Sequence, residues 1–216
     1  MTASQELSPI AAALTEVRSR VSEAAAAANR SPPRLVAVSK TKPVPLLLEA
    51  YEAGMRDFGE NYVQELVEKA PQMPSDVSWR FIGKLQSNKA KLLVQGVPSL
   101  AVVETLDSVK LADRLQKAVE AGGRDTPLGV MVQVNTSPWE GSKGGVLPEE
   151  AGALAEHVQA RCPGLVLEGL MTIGAPGEAS CFRTLLSCRD AVAAQLDVPA
   201  AALELSMGMS GDFEAA

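Results

Sequence analysis

The sequence predicts an α/β fold, a (β/α)8 TIM-type barrel, on three observations. Seven short apolar runs each lead into a helical stretch or the first turn of one, with brief connections between them, the signature of a parallel sheet. No G-x-G-x-x-G follows any of these runs, which argues against an open sheet of the dinucleotide-binding kind. Polar, lysine-bearing and glycine-rich residues gather after runs 1, 2, 3, 5, 6 and 7. A barrel brings all of those strand ends to one face, whereas an open sheet spreads them along an edge.

Each element has local support. Ser8 caps a first helix with Pro9 at its first position and Ile10, Leu14, Val17 and Val21 on one face, ending near Asn29. Strand 1, Leu35 to Val38, is apolar throughout and reads as covered on both faces; prolines punctuate it on either side. A helix over 44–53 is closed by Gly54, and strand 2 runs over 57–61. A helix over 62–69 is stopped by Pro71 and Pro74, and strand 3 covers 79–83. Ser87 is the expected cap of a helix to Gln95. Strand 4 covers 100–105, and a helix over 108–121 ends at Gly122-Gly123. Strand 5 covers 128–135; a polar loop, Asn135 to Gly145, leads to a helix over 148–161. Strand 6 covers 165–173, a helix 179–196, and strand 7 203–207, with 212–216 as the first turn of one more helix. No linker or repeat divides the 216 residues, so 1–216 reads as one domain, with 1–30 a covering helix.

Composition excludes several functions. A net charge of −6 speaks against general nucleic-acid binding, and no apolar run reaches membrane-spanning length. Acids at Glu6, Glu16 and Glu23 argue against a transit peptide. The three cysteines make no CxxC pair and there is one histidine, His157, so no metal centre is expected. Cys181 and Cys188, seven apart on one helix face, read as buried thiols in a reducing compartment.

Chemistry concentrates at strand ends. Lys40 stands where strand 1 runs out. An amine at the mouth of a core is partly desolvated and drawn toward its neutral, nucleophilic form, as a Schiff-base lysine requires; the competing reading is a lysine that snorkels to solvent. Asn61 ends strand 2, either holding the edge of a flat polar ring or capping the next helix. Lys84, Lys89 and Lys91 cluster after strand 3, an anion site or a solvated capped helix. Ser206-Met207-Gly208-Met209-Ser210-Gly211 offers hydroxyls and backbone N–H groups of the sort that cradle phosphate, in the loop region where barrels favour it. A lysine aldimine and a phosphate cup on one face together describe pyridoxal 5'-phosphate.

The motifs Ala37-Val38-Ser39-Lys40-Thr41-Lys42-Pro43, Phe58-Gly59-Glu60-Asn61-Tyr62-Val63-Gln64-Glu65, Phe81-Ile82-Gly83 with Leu85-Gln86-Ser87-Asn88-Lys89, Gly169-Leu170-Met171-Thr172-Ile173 and Leu205-Ser206-Met207-Gly208-Met209-Ser210 resemble the pyridoxal phosphate homeostasis protein family in order and spacing, from the first helix to the end of the chain. The resemblance implies a barrel of the alanine racemase N-terminal type with the cofactor on Lys40, Asn61 near the cofactor, and Ser206, Met207 and Ser210 about the phosphate. It implies a role in vitamin B6 cofactor supply, with apo-enzymes as recipients, rather than a robust catalytic activity. A monomer in the cytoplasm is expected, with an organelle left open. The alternative is an amino-acid racemase or lyase using the same lysine, although no second acid/base is evident opposite it. In the family a further helix and an eighth strand, carrying an Arg-Ile-Gly-Thr segment, follow the stretch matched by Ala216, so a shortened or inactive fragment is a third expectation. Arg80 stands where many members have His.

Overall fold

A computed structural model describes residues 8–139 and 144–216. In chain order the elements are α1 (Pro9–Ala27), β1 (Ala37–Val38), α2 (Val44–Glu52), β2 (Asp57–Glu60), α3 (Val63–Lys69), β3 (Ser78–Phe81), α4 (Ala90–Gly96), β4 (Leu100–Leu106), α5 (Val109–Gly122), β5 (Leu128–Gln133), α6 (Ala151–Arg161), β6 (Leu165–Met171), α7 (Ala179–Gln195) and β7 (Glu204–Ser206). The seven strands form one sheet in sequence order, and every pairing is parallel. All seven expected strands and the long helices are therefore present.

The differences are local. β1 is only two residues long, and Val38 is 51% exposed. Strand 1 is thus not covered on both faces as its composition suggests; it pairs with β2 alone. Ser87 caps nothing through its side chain: residues Ser87–Lys89 form a 3-10 turn that feeds α4. Residues 209–216 form consecutive hydrogen-bonded turns, with Phe213 N–H donating to the Met209 carbonyl. Ser8 caps α1 as expected, its Oγ accepting from Ala11 N–H at 3.2 Å. Glu6 and the loop residues Glu140, Gly141, Ser142 and Lys143 lie outside the described residues.

Apolar residues alternate with a polar lining. Trp79, Phe81, Val103, Val130, Val132 and Leu170 face outward into the main core, where the helices cover them. Among the described residues, the inner surface carries a small apolar cluster of Val102, Met131 and Met171. Beside it lies Arg80, 3% exposed and ion-paired through Nε to Glu104, itself 2% exposed. Asp57, Glu168 and Glu204 stand 3.7–3.9 Å from the same guanidinium. Burial alone would lower the Arg80 pKa, but Glu104, Glu168 and Glu204 outweigh it and raise it. Gly129 makes room for this group, because a Cβ there would sit 2.2 Å from Glu168 Oε1.

These contacts also measure the curl of the sheet. Flat neighbouring strands lie about 4.8 Å apart, so β4 and β7, three places apart, would be far out of contact. Yet Ser206 on β7 donates to Glu104 Oε2 on β4 at 2.5 Å. Arg34, just ahead of β1, pairs with Glu204 on β7 at 3.1 Å. The sheet is wrapped into a barrel wall around a charged interior. Removing one member of a buried pair leaves an uncompensated charge and costs about 3 to 5 kcal/mol. Glu104→Ala is expected to lower the urea unfolding midpoint accordingly, while Arg80→Met combined with Glu104→Leu recovers most of the loss; equal midpoints for Glu104→Ala and the parent would refute the assignment.

Candidate functional site

Parallel strands place all their C-terminal ends at one edge. Lys40 lies two residues past β1, Asn61 one residue past β2, and Ser206 closes β7. Lys40 is exposed, at the first position of a turn in which Thr41 takes φ +61°. The expected partial desolvation of its amine is not present in this conformation. What the sequence reading missed is how firmly the turn is held.

The hold comes from a buried ion cluster. Lys69, at the end of α3, reaches back under the turn: its Nζ donates to the Ser39 carbonyl at 2.9 Å, to Glu60 Oε1 at 2.6 Å and to Glu65 Oε2 at 2.7 Å. Glu60, fully buried, also accepts from Ser39 Oγ at 3.0 Å and, through its other oxygen, from Asn61 N–H at 3.0 Å. Glu65 accepts from Thr41 N–H at 2.9 Å. Both neighbours of Lys40 are therefore tied, while its own side chain is left exposed. A signal was present in the sequence, since Glu65 and Lys69 are four apart on a helix, but the long-range partners were not legible.

Asn61 has a further property. Its Oδ1 is buried and has no hydrogen-bond partner among the described residues, an arrangement that costs free energy unless a partner arrives. Gly83, after β3, lies so close that a Cβ there would meet the Asn61 carbonyl at 2.0 Å, so only glycine permits this packing. The adjacent Tyr62 is 53% exposed at the same rim. The other tyrosine, Tyr51, is committed elsewhere, donating to Asp76 at 2.7 Å.

At β7 the residues divide. Ser206 donates its hydroxyl to Glu104, Met207 packs toward the core, and Ser210 is exposed. Gly208 takes φ +85°, and Asp212 accepts from Met209 N–H at 2.6 Å, shaping the turn. Thr172 N–H donates to the Ser206 carbonyl at 3.0 Å, and Thr172 Oγ1 lies 2.8 Å from Thr136 Oγ1, so the exits of β5, β6 and β7 are joined. Lys84, Lys89 and Lys91 are exposed without an ordered partner of opposite charge among the described ion pairs, as in the solvated reading. Cys181 and Cys188 are buried thiols, as expected. A cavity of about 340 Å³ lined by Arg34, Arg80, Glu168 and Glu204 opens at the opposite end of the barrel, away from these groups.

The profile of the alanine racemase N-terminal domain matches residues 13–216. Pyridoxal phosphate homeostasis protein from Bos taurus is 48% identical, over 94% of this chain and 79% of its own length; that from Homo sapiens is 47% identical, over 95% and 79%. Among solved structures, PipY of Synechococcus elongatus PCC7942 with PLP bound superposes with a TM-score of 0.74 at 33% identity, covering 95% of this chain and 92% of that one. The chain belongs to the alanine racemase N-terminal domain family, within its group of pyridoxal phosphate homeostasis proteins.

The ion cluster has a defined pH response. Hydrogen bonds from Lys69 and then from Thr41 N–H hold the Glu65 pKa below its ordinary value. Burial would lower Lys69, but Glu60 and Glu65 together raise it. The Glu65 contribution to stability is full above its unfolded value and is lost as pH falls through the lowered folded value. The Lys69 contribution is full below its unfolded value and is lost as pH rises through the raised one. Glu65→Gln is expected to flatten the acid limb of the unfolding midpoint against pH, while the neutral region keeps its shape; an unchanged acid limb would show that Glu65 takes no part.

Proposed function

We propose that this chain binds pyridoxal 5'-phosphate through Lys40 and serves in supplying that cofactor, as the names of its relatives suggest for them. The observation that carries the reading is the turn at Lys40: its neighbours are clamped by Glu60, Glu65 and Lys69, and its amine is left accessible. When bound, the cofactor supplies an aldehyde that a lysine amine can hold and a ring that withdraws electrons.

The residues present fit that group. Asn61 Oδ1 is a buried acceptor in want of a donor. The turn from Met207 to Gly211, with Gly208 at positive φ, presents backbone N–H groups, and Ser210 an exposed hydroxyl, of the kind that hold phosphate. Ser206 contributes from the flank while tied to Glu104. Residues 1–216 act as one domain and as a monomer, the location is the cytoplasm, and the partners are apo-enzymes that receive the cofactor. Among the described residues no helix is long and apolar enough to cross a membrane.

A racemase or lyase reading has one observation in its favour, the exposed Tyr62 beside Asn61. It predicts loss of α-deuterium from amino acids at catalytic rates; incorporation of the cofactor without such exchange supports the supply role. Lys40→Ala is expected to abolish the cofactor absorption band and all borohydride-fixed label, with wild-type label mapped to Lys40. Label on Lys42 instead would refute the assignment. Asn61→Ala is expected to weaken binding about tenfold, near the 1.4 kcal/mol of one net hydrogen bond.

A further inference from the structure

Outside this site, one cluster of side chains has no part in the reading above. Asp113 on α5, His157 on α6 and Cys162, just past the end of α6, bring a carboxylate oxygen, an imidazole nitrogen and a thiol sulfur all within 4.8 Å of one another. His157 Nε2 and Asp113 Oδ1 are 2.8 Å apart, bridging residues 44 apart in sequence. We propose that these three groups form a binding site for a divalent cation of the zinc type, clasping α5 to α6 on the outer face of the barrel.

A hydrogen bond between helices accounts for the His–Asp pair alone. Cys162 packs in the main core and brings a third donor to the same point. The thiol of Cys162 is 1% exposed and its residue leaves the helix at φ −123°, ψ 70°. A divalent cation favours thiolate and carboxylate together. Four residues lie between His157 and Cys162, within the three to five that separate paired ligands in zinc sites.

The donor set selects the metal. Nitrogen, sulfur and one carboxylate oxygen suit zinc and its neighbours, whereas magnesium and calcium take oxygen ligands. Bond lengths of about 2.0–2.3 Å around a tetrahedron place ligand atoms roughly 3 to 4 Å apart, so the imidazole and carboxylate need to part slightly and the thiol to draw in. The His157 and Asp113 side chains are 22% and 51% exposed, which gives a cation access and leaves a fourth position to water. On binding, the Cys162 Sγ–H bond breaks, its proton goes to solvent, and a metal–sulfur bond forms with no change of oxidation state. The sequence hid the site because its ligands follow no CxxC pattern and one comes from a separate helix.

The test uses the full chain, stripped with chelator and titrated with Co²⁺, then with Zn²⁺. One equivalent of Co²⁺ is expected to bind with a thiolate-to-metal absorption band, displaced by Zn²⁺ and untouched by Mg²⁺. Cys162→Ser is expected to abolish the band and Cys188→Ser to leave it. His157→Gln, at a partly exposed position, is expected to keep the thermal unfolding midpoint and to weaken binding by at least about tenfold, the lower end of what even an outer-sphere change costs. Absence of stoichiometric binding, or a band of equal strength and affinity in His157→Gln, would overturn the proposal.

Discussion

One buried ammonium governs the end of the barrel where chemistry is expected. Lys69 meets two carboxylates and a backbone carbonyl, and with it the first two strands and α3 lock into a single rigid corner. A charge so placed is tolerable only because every neighbour is a partner. The consequence for Lys40 is positional. Its backbone has little freedom, so an amine on a flexible stem is delivered from a fixed origin. Preorganisation of that kind is what separates a reactive lysine from the many exposed lysines on the surface.

The polar interior gives the barrel its shape as much as its hydrogen-bonded ladder does. Large outward-facing residues such as Trp79 and Phe81 bind the helices, while inside the wall a guanidinium draws acids from β2, β4, β6 and β7. Hydrophobic packing is indifferent to which strand lies opposite which. An arginine with several short-range partners is not, and it favours one register of the curled sheet.

The fold was legible because it rests on patterns that survive in one dimension: runs of apolar residues, caps, and glycine or proline stops. Pro9 behind Ser8 and Gly123 after α5 mark their helix ends in the structure as in the sequence. The strand-end residues were legible for the same reason, since Lys40, Asn61 and Ser206 stand at or just past the ends of short strand-like runs. Long-range pairings were not. Nothing local to Glu60 says that Lys69 will neutralise it, and nothing near Asp113 announces His157. β1 misled because burial depends on neighbours across the sheet rather than on the run itself, and Val38 has a strand on one side only. The lysines after β3 are plentiful in sequence and carry no special geometry in space.

The Arg80–Glu104–Ser206 chain links three strands drawn from widely separated parts of the sequence. Such residues form one electrostatic unit. A change at position 80 alters the setting in which 104 and 206 are tolerated, so substitutions there are expected to travel together rather than singly. A mutational library that varies position 80 alone samples mostly broken interiors, while one that varies 80 and 104 jointly reaches barrels with a different, internally consistent lining.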